Sequence, residues 1–474
     1  MQSRASLSPN EFLLLCDDPA HPAIPSPPMN STPLSRRSFL QKTSLASAAA
    51  VAFPHVMRSQ QGVSPNSKLN VACIGVGGRG RAAVTAMATE NHVAFCDVDE
   101  SRAAATFTKF PQVPRFKDFR QLFDKLGNQI DAVTVSTPDH MHFPIAMAAM
   151  ALGKHVFVEK PMAHTIAEAR ILAQIAREKK LATQMGNQGH AAEGTRMLKE
   201  WYQAGVLGEV REIHSWTDRP IWPQGVKGFD HKKGVPAVPA TLDWDLWLGV
   251  AATREFDPAY LPFNWRGFWD FGTGALGDMG CHMMDGGFYA FDLAAPTSVE
   301  AISANQTAIS APSASVVTYR FAARGTHPEI KWVWYDGNMA PLLPPELEEE
   351  RNLPDNSTLI IGTKATVLAQ ANYFTIRIIP EAKMRGAAGS LPPKTIPRIP
   401  AGDHFAEWVN ACKGGTPAGA NFEYSSRLTE MVLLSNVAVR ARRRIDWDSA
   451  AMKVTNIAAA NEFLTKKYRP GFGV

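Results

Sequence analysis

The sequence predicts an α/β protein. Its first part reads as a doubly wound parallel sheet, and its second as an α+β unit on a large, mostly antiparallel sheet. Three observations carry this. Short apolar runs alternate with helical segments between residues 69 and 186. The residues able to do chemistry fall at the carboxyl ends of those runs. Beyond about residue 200, longer strand-like runs follow one another without intervening helices. The 474 residues leave room for two to three domains at roughly 150 residues each. The expected division is a leader and linker over 1–67, a parallel-sheet domain over 68–190 and an α+β domain over 191–474.

The elements follow in order. Leu69–Ile74 (LNVACI) is an apolar run of the kind buried in parallel sheets. It leads into Gly75-Val76-Gly77-Gly78-Arg79-Gly80, where glycines 75, 77 and 80 fit G-x-G-x-x-G. In this motif the glycines allow a tight turn, close backbone approach to a pyrophosphate, and close helix–strand packing. A helix from about Arg79 to Thr89 would then aim its N-terminus at the phosphates. The next strand, His92–Cys96, ends on Asp97. That carboxylate could take the ribose hydroxyls and would repel a 2′-phosphate. The expected cofactor is therefore NAD, with NADP the alternative should a neighbouring basic residue reverse the preference. Helices follow at Arg102–Phe110 and Phe119–Leu126. A strand at Ile130–Ser136 ends in Thr137-Pro138-Asp139-His140-Met141-His142. A helix at Phe143–Leu152 and a strand at His155–Val158 lead to Glu159-Lys160-Pro161. A helix at Ala163–Lys180 and a last parallel strand at Leu181–Gly186 complete the series. Ligands of such sheets sit at the carboxyl ends of the strands. Cofactor contacts are thus expected from Gly75, Gly77, Gly78, Arg79, Gly80, Asp97, Thr137, Pro138, His142 and Glu159. His140 and His142 invite a metal reading, but on a turn beside the cofactor the expectation for them is a contact to the nicotinamide ribose or a helix cap.

Composition narrows the class. Hydrophobic residues make up 45% and charged residues 20%, and the net charge is only +5. This suits a globular protein and gives no sign of a nucleic-acid partner. No apolar run reaches the ~18 residues of a membrane span. Five cysteines without a CxxC pattern are no disulfide framework. Cys73 and Cys96 sit in apolar runs and read as buried, unpaired core residues. Residues 1–67 differ from the rest. Ser35-Arg36-Arg37-Ser38-Phe39-Leu40-Gln41-Lys42 is a twin-arginine pattern, followed by an Ala-rich apolar segment from Leu45 to Phe53. It predicts export by the twin-arginine route to the periplasm, with Ala50-Val51-Ala52 a candidate cleavage point and Met29 a candidate start. The competing reading is an ordinary amphipathic N-terminal helix.

In combination these motifs resemble the glucose–fructose oxidoreductase / inositol dehydrogenase / rhizopine catabolism (Gfo/Idh/MocA) family over about residues 69–450. The residues that carry the resemblance are the Gly75–Gly80 turn, Ser136-Thr137-Pro138 with His142, and Glu159-Lys160-Pro161. To these is added Gly277-Asp278-Met279-Gly280-Cys281-His282-Met283-Met284-Asp285. The resemblance implies a Rossmann domain ahead of a mostly antiparallel sheet domain, and NAD(P)-dependent oxidation or reduction of a sugar or cyclitol hydroxyl. It places catalysis on Lys160, Asp278 and His282. Physical reasoning agrees. Asp278, His282 and Asp285 would share one helix face, and an imidazole with an unperturbed pKa near ~6.5 suits a base for a carbinol proton. Lys160 would stabilise the developing alkoxide, and Asp278 would orient the imidazole or a substrate hydroxyl. The D-x-x-x-H-x-x-D face could instead hold a metal, but no further ligand cluster is evident and hydride transfer needs none, so no metal is expected.

For the second part, Glu209–Thr217, Val299–Asn305, Ser315–Phe321 and Glu329–Tyr335 read as strands, and Asp403–Ala411 and Ser426–Arg442 as helices. A sheet with one open face needs a cover, so a homo-oligomer (dimer or tetramer) is expected. Trp216, Trp222, Trp244, Trp247, Trp265 and Trp269 could stack on sugar rings or simply fill the core. Trp269, Asp285, and Asn187 and His190 after the last parallel strand are the candidate contacts to a small carbohydrate. Because free nicotinamide cofactor is scarce outside the cytoplasm, an exported enzyme is expected to hold its cofactor tightly. Two alternatives remain: an NAD-dependent glycosidase working by transient oxidation and elimination, and a non-catalytic sugar-binding or sensor protein on the same fold.

Overall fold

The computed structural model describes residues 67–228, 234–325, 327–370 and 372–472. The twin-arginine pattern, the Ala-rich segment with its candidate cleavage point, and Met29 lie outside the described residues. The first layer is a parallel sheet in the order β3-β2-β1-β4-β5-β6. Its strands are β1 (Asn70–Ile74), β2 (Asn91–Cys96), β3 (Arg115–Phe116), β4 (Ala132–Val135), β5 (His155–Glu159) and β6 (Thr183–Gly186). Between them run α1 (Gly80–Ala86), α2 (Glu100–Lys109), α3 (Phe119–Leu126), α4 (His142–Ala151) and α5 (Ile166–Glu178). Strands such as β4 are buried on both faces, which is why they read as unbroken apolar runs. Helix starts are set by local side chains. Asp99 accepts from the Ser101 and Arg102 amides at α2, and Asp118 caps α3. Thr165 and Glu168 close a capping box on α5.

α6 (Glu193–Gln203) leads to β7 (Val210–Trp216), α7 (Trp244–Leu248), α8 (Gly274–Met283) and α9 (Asp285–Ala290). Then come β8 (Ser298–Ala304), β9 (Ala314–Phe321), β10 (Ile330–Tyr335), β11 (Ser357–Gly362), β12 (Thr366–Gln370) and β13 (Thr375–Ile379). The chain ends with α10 (Glu381–Ala387), α11 (His404–Cys412), α12 (Phe422–Ala441), β14 (Ile445–Asp448) and β15 (Lys453–Val454). The second sheet runs β13-β12-β11-β7-β10-β9-β8-β14-β15. All its pairs are antiparallel except β7 with β10. The strands at β11–β13 and β14–β15 were not expected from the sequence.

The C-terminal helices return to the first sheet. Phe405 stacks on Phe157 of β5 with ring centroids 4.7 Å apart, and Trp408 meets the same ring edge-on. On α12, Glu430 takes two hydrogen bonds from Arg170 of α5, at 2.7 and 2.8 Å, and another from Trp447 of β14. One apolar core runs from Ile74 and Val135 through Leu276 and Met283 of α8 to Trp332 and Ile360 of the second sheet. Cys73, Cys96, Cys281 and Cys412 are buried, unpaired thiols. No helix among the described residues is long and apolar enough to cross a membrane.

Candidate active site

Where β1 runs into α1 the chain must turn inside a space that admits no side chain. Gly75 has φ +76°, and a Cβ there would lie 2.6 Å from the Ser136 carbonyl oxygen. A Cβ on Gly80 would collide with the Gly75 carbonyl. The turn is tied down by Asp97, whose Oδ2 accepts from the amides of Val76 (2.9 Å) and Gly77 (3.1 Å) while Oδ1 accepts from Asp99. Burial pushes the Asp97 carboxyl upward, against those amide bonds. Asp97 therefore shapes the turn as well as lining the cavity beside it.

That cavity, about 390 Å³, lies over the carboxyl ends of the strands. Gly75, Gly77, Gly78, Arg79, Asp97, Thr137, Pro138, Glu159, Lys160 and Asp278 all line it. Gly80 lies behind the turn. Ser136 Oγ and Thr137 Oγ1 are buried without a partner at the wall of this cavity. With the side-chain-free turn, they fit a dinucleotide laid across the strand ends. Asp139 also lines it. Its carboxyl is pushed up by burial and receives the Thr273 hydroxyl at 2.7 Å.

At the β5 end, Lys160 Nζ reaches the Asp278 carbonyl (2.6 Å) and Oδ1 (2.7 Å). The same Oδ1 accepts from Arg266 Nε at 2.9 Å. Arg266 is seated on the rings of Phe263 and Trp265, 4.1 and 4.3 Å away. Burial alone would raise the Asp278 carboxyl, but the two cations hold it well below the usual carboxylate range. The sequence did not single out Arg266, because only the folded loop brings it to Asp278. His282 lies one turn further along α8, behind the residues that line the cavity, buried at 6% exposure, and its Nδ1 has no partner. Burial, and then the charge on Lys160, push its imidazole down to about 3. It is a neutral ring rather than one poised near 6.5.

Several other expected contacts stand elsewhere. His142 does not reach the cavity. Its Nδ1 meets the Pro161 carbonyl and its Nε2 the Thr137 carbonyl, at 2.8 and 2.9 Å, so it braces two cavity loops against each other. Asp285 follows a one-residue interruption of the helix at Met284, which keeps right-handed backbone angles, bonds to the Gly280 carbonyl and accepts from the Phe288 amide. The Asp285 carboxylate turns inward to His190 Nδ1 (3.0 Å) and the Tyr424 hydroxyl. His190 and Asp285 are thus partners in a buried network. Asn187 is also buried; its amide donates to the Cys281 carbonyl at 2.9 Å, while Oδ1 is unpartnered. Trp269 lines a separate cavity together with Arg440. Trp247 and Trp265 line the main cavity, whereas Trp216 is core. Among the described residues, no group of three His, Cys, Asp or Glu side chains could hold a metal ion.

Comparison with known proteins agrees with this architecture. Residues 69–187 match the oxidoreductase family with an NAD-binding Rossmann fold, and residues 202–328 match its C-terminal alpha/beta domain. The chain is 29% identical over 242 residues to the D-glucoside 3-dehydrogenase of Escherichia coli (strain K12), covering 50% of this chain and 58% of that protein. It is 34% identical over 208 residues to glycosyl hydrolase family 109 protein 1 of Shewanella sp. (strain ANA-3), covering 40% and 44%. The chain spans about half the length of the curated relatives it matches. Among solved structures, a Bordetella pertussis dehydrogenase in complex with NADH and UDP-GlcNAcA superposes with a TM-score of 0.56 at 16% identity, covering 80% of this chain and 99% of that one. A levoglucosan dehydrogenase complexed with NADH and levoglucosan gives 0.52 at 18%, covering 80% and 99%. At these identities the likeness is one of fold.

Proposed function

Because the chain belongs to the Gfo/Idh/MocA oxidoreductase family, we propose that it is an NAD(P)-dependent oxidoreductase acting on a hydroxyl of a sugar, cyclitol or glycoside, with its cofactor tightly held. The observation that carries this is the Lys160–Asp278–Arg266 cluster at the β5 end of the dinucleotide cavity, with His282 one helical turn beyond. The named sugar dehydrogenases among the relatives support the substrate class. Asp97 supports NAD over NADP. The twin-arginine pattern supports an exported, periplasmic protein, and the broad second sheet a dimer or tetramer.

The cofactor, when bound, supplies the hydride acceptor. Lys160 presents its ammonium to the carbinol oxygen and stabilises negative charge there as the C–H bond breaks. Asp278 fixes that ammonium through Oδ1, and Arg266 holds the carboxylate in the charged state. The hydroxyl proton passes to His282. A ring depressed to about 3 is a weak base toward an alcohol. It suffices here because the proton becomes very acidic as the carbinol turns into a carbonyl. Low proton affinity also keeps the ring unprotonated between turnovers.

A panel of sugars and glycosides, read by the bound cofactor's absorbance at about 340 nm alongside released aglycone, tests the proposal. Reduction of cofactor without aglycone release supports the oxidoreductase. Aglycone release without net reduction supports the glycosidase reading, which the Shewanella relative favours. Binding with neither supports a sensor. His282→Ala should lower turnover by ~10²–10⁴-fold while cofactor binding is kept.

A further inference from the structure

The last described segment of the chain does not trail into solvent. It recrosses the first layer under a series of anchors. Lys466 Nζ binds Glu168 Oε1 and the His140 carbonyl, each at 3.1 Å, and faces His164 Nδ1 at 3.3 Å. The Tyr468 hydroxyl joins the same Glu168, which already closes the capping box of α5. Arg469 donates its amide to the Val250 carbonyl at 3.0 Å and its Nε to Gly249 at 2.9 Å. Arg120 of α3 then takes the Gly471 carbonyl at 2.8 Å. These bonds deliver Phe472, 7% exposed, to the wall of the main cavity, with the guanidiniums of Arg120 and Arg469 at 4.3 and 4.6 Å from its ring.

The place where the ring arrives can be read from its neighbours. Arg120 follows Asp118 and Phe119, which line the cavity at the β3 side of the glycine turn. Lys160 and Asp278 stand on the β5 side. In a doubly wound sheet the acid ending β2 serves the adenosine ribose, so the β2–β3 side is the adenosine end. A second segment covers that end as well. Asp243 donates to the Val98 carbonyl, and the Glu100 amide to Thr241, at 2.9 and 3.0 Å. These bonds hold α7 over the cavity, where Leu246 and Trp247 line it.

We propose that the 466–472 strap is part of the cofactor site: Phe472 packs against the adenosine half of the dinucleotide, and the strap must yield for the cofactor to leave. This rests on the cofactor-binding reading above and adds the residues that would hold the cofactor in place. Wall contact with an aromatic ring is worth about tenfold in affinity, the equivalent of ~1.4 kcal/mol.

The test uses the full chain freed of nucleotide, with ADP-ribose and nicotinamide mononucleotide as probes in isothermal titration. Phe472→Ala should weaken ADP-ribose and NAD about tenfold and leave the mononucleotide unchanged, and Phe472→Trp should restore most of the loss. Arg120→Met, which frees the Gly471 carbonyl and also the Asp118 carboxylate at the cavity wall, should speed release of bound NAD several-fold in a dilution experiment, whereas Asp118→Asn, which keeps the bond to Gly471, should not. This comparison decides the matter if Phe472→Ala does not fold. ADP-ribose affinity within twofold of the parent in folded Phe472→Ala, equal weakening of both half-molecules, or unchanged NAD release from Arg120→Met would each overturn the proposal. Failure of the parent protein to bind ADP-ribose at all would instead remove the cofactor reading on which it rests.

Discussion

The shared oxygen of Asp278 makes a quantitative prediction. Lys160 Nζ lies 2.7 Å from Oδ1, and the two side chains are only 14% and 12% exposed. Unit charges at that separation attract by roughly 6 kcal/mol at an effective dielectric of about 20. Desolvation of both groups offsets a large share of this. Asp278→Asn removes the carboxylate bonded to both cations, and Arg266 is also just 18% exposed. It should cost ~3–5 kcal/mol of stability. Lys160→Met should cost less, because Arg266 still compensates Asp278. In the double variant one uncompensated cation remains instead of two, so its loss should fall short of the sum of the singles by ~2 kcal/mol. Urea unfolding followed by tryptophan fluorescence, on the two single variants, the double variant and the parent, measures this coupling. Additivity within ~0.5 kcal/mol would refute the view that the carboxylate and ammonium compensate each other.

Three further outcomes are expected. For alcohol oxidation the base must be neutral, and His282 is pushed down to about 3. The acid limb of kcat/KM should therefore lie well below pH 6 rather than near 6.5; a fall centred on 6.5 in a stopped-flow pH series would assign the proton to another group. Gly75→Ala forces a Cβ to 2.6 Å from the Ser136 carbonyl at positive φ, and should weaken NAD at least tenfold in titration calorimetry, about 1.4 kcal/mol or more. Glu430→Gln leaves Arg170 without its carboxylate beneath Trp447. It should lower stability by ~3 kcal/mol, read as an earlier urea midpoint with cofactor affinity preserved.

What could be read from the sequence was what local chemistry dictates. The Gly75–Gly80 turn, Asp97 and the strand ends at Thr137 and Lys160 are legible because each is fixed by its own short segment. The pairing of Lys160 with Asp278 was within reach through motif resemblance. Arg266 was not: its position depends on a loop folded around Phe263 and Trp265. Phe472 reaches the cavity only through bonds to distant elements. Asp285 and His190 stand apart from the expected substrate contacts because they bond to each other and to Tyr424, partners far away along the chain that local spacing does not reveal. His142 was misplaced because a motif position at a strand end says nothing of which way the ring turns. β11–β13 escaped notice because short apolar runs without clear alternation do not declare their period.

The uninterrupted apolar packing between the two sheets limits how this molecule can breathe. A protein whose halves meet across a thin polar seam can open like a jaw; one whose halves share buried tryptophans and leucines would have to tear that packing to do so. Small molecules must therefore enter and leave by displacement of the peripheral loops, while the positions of Lys160, Asp278 and His282 stay as set when the chain folds. Turnover would then follow the opening of those loops, and hydrogen exchange should be fast around 241–263 and 466–472 and slow along α8.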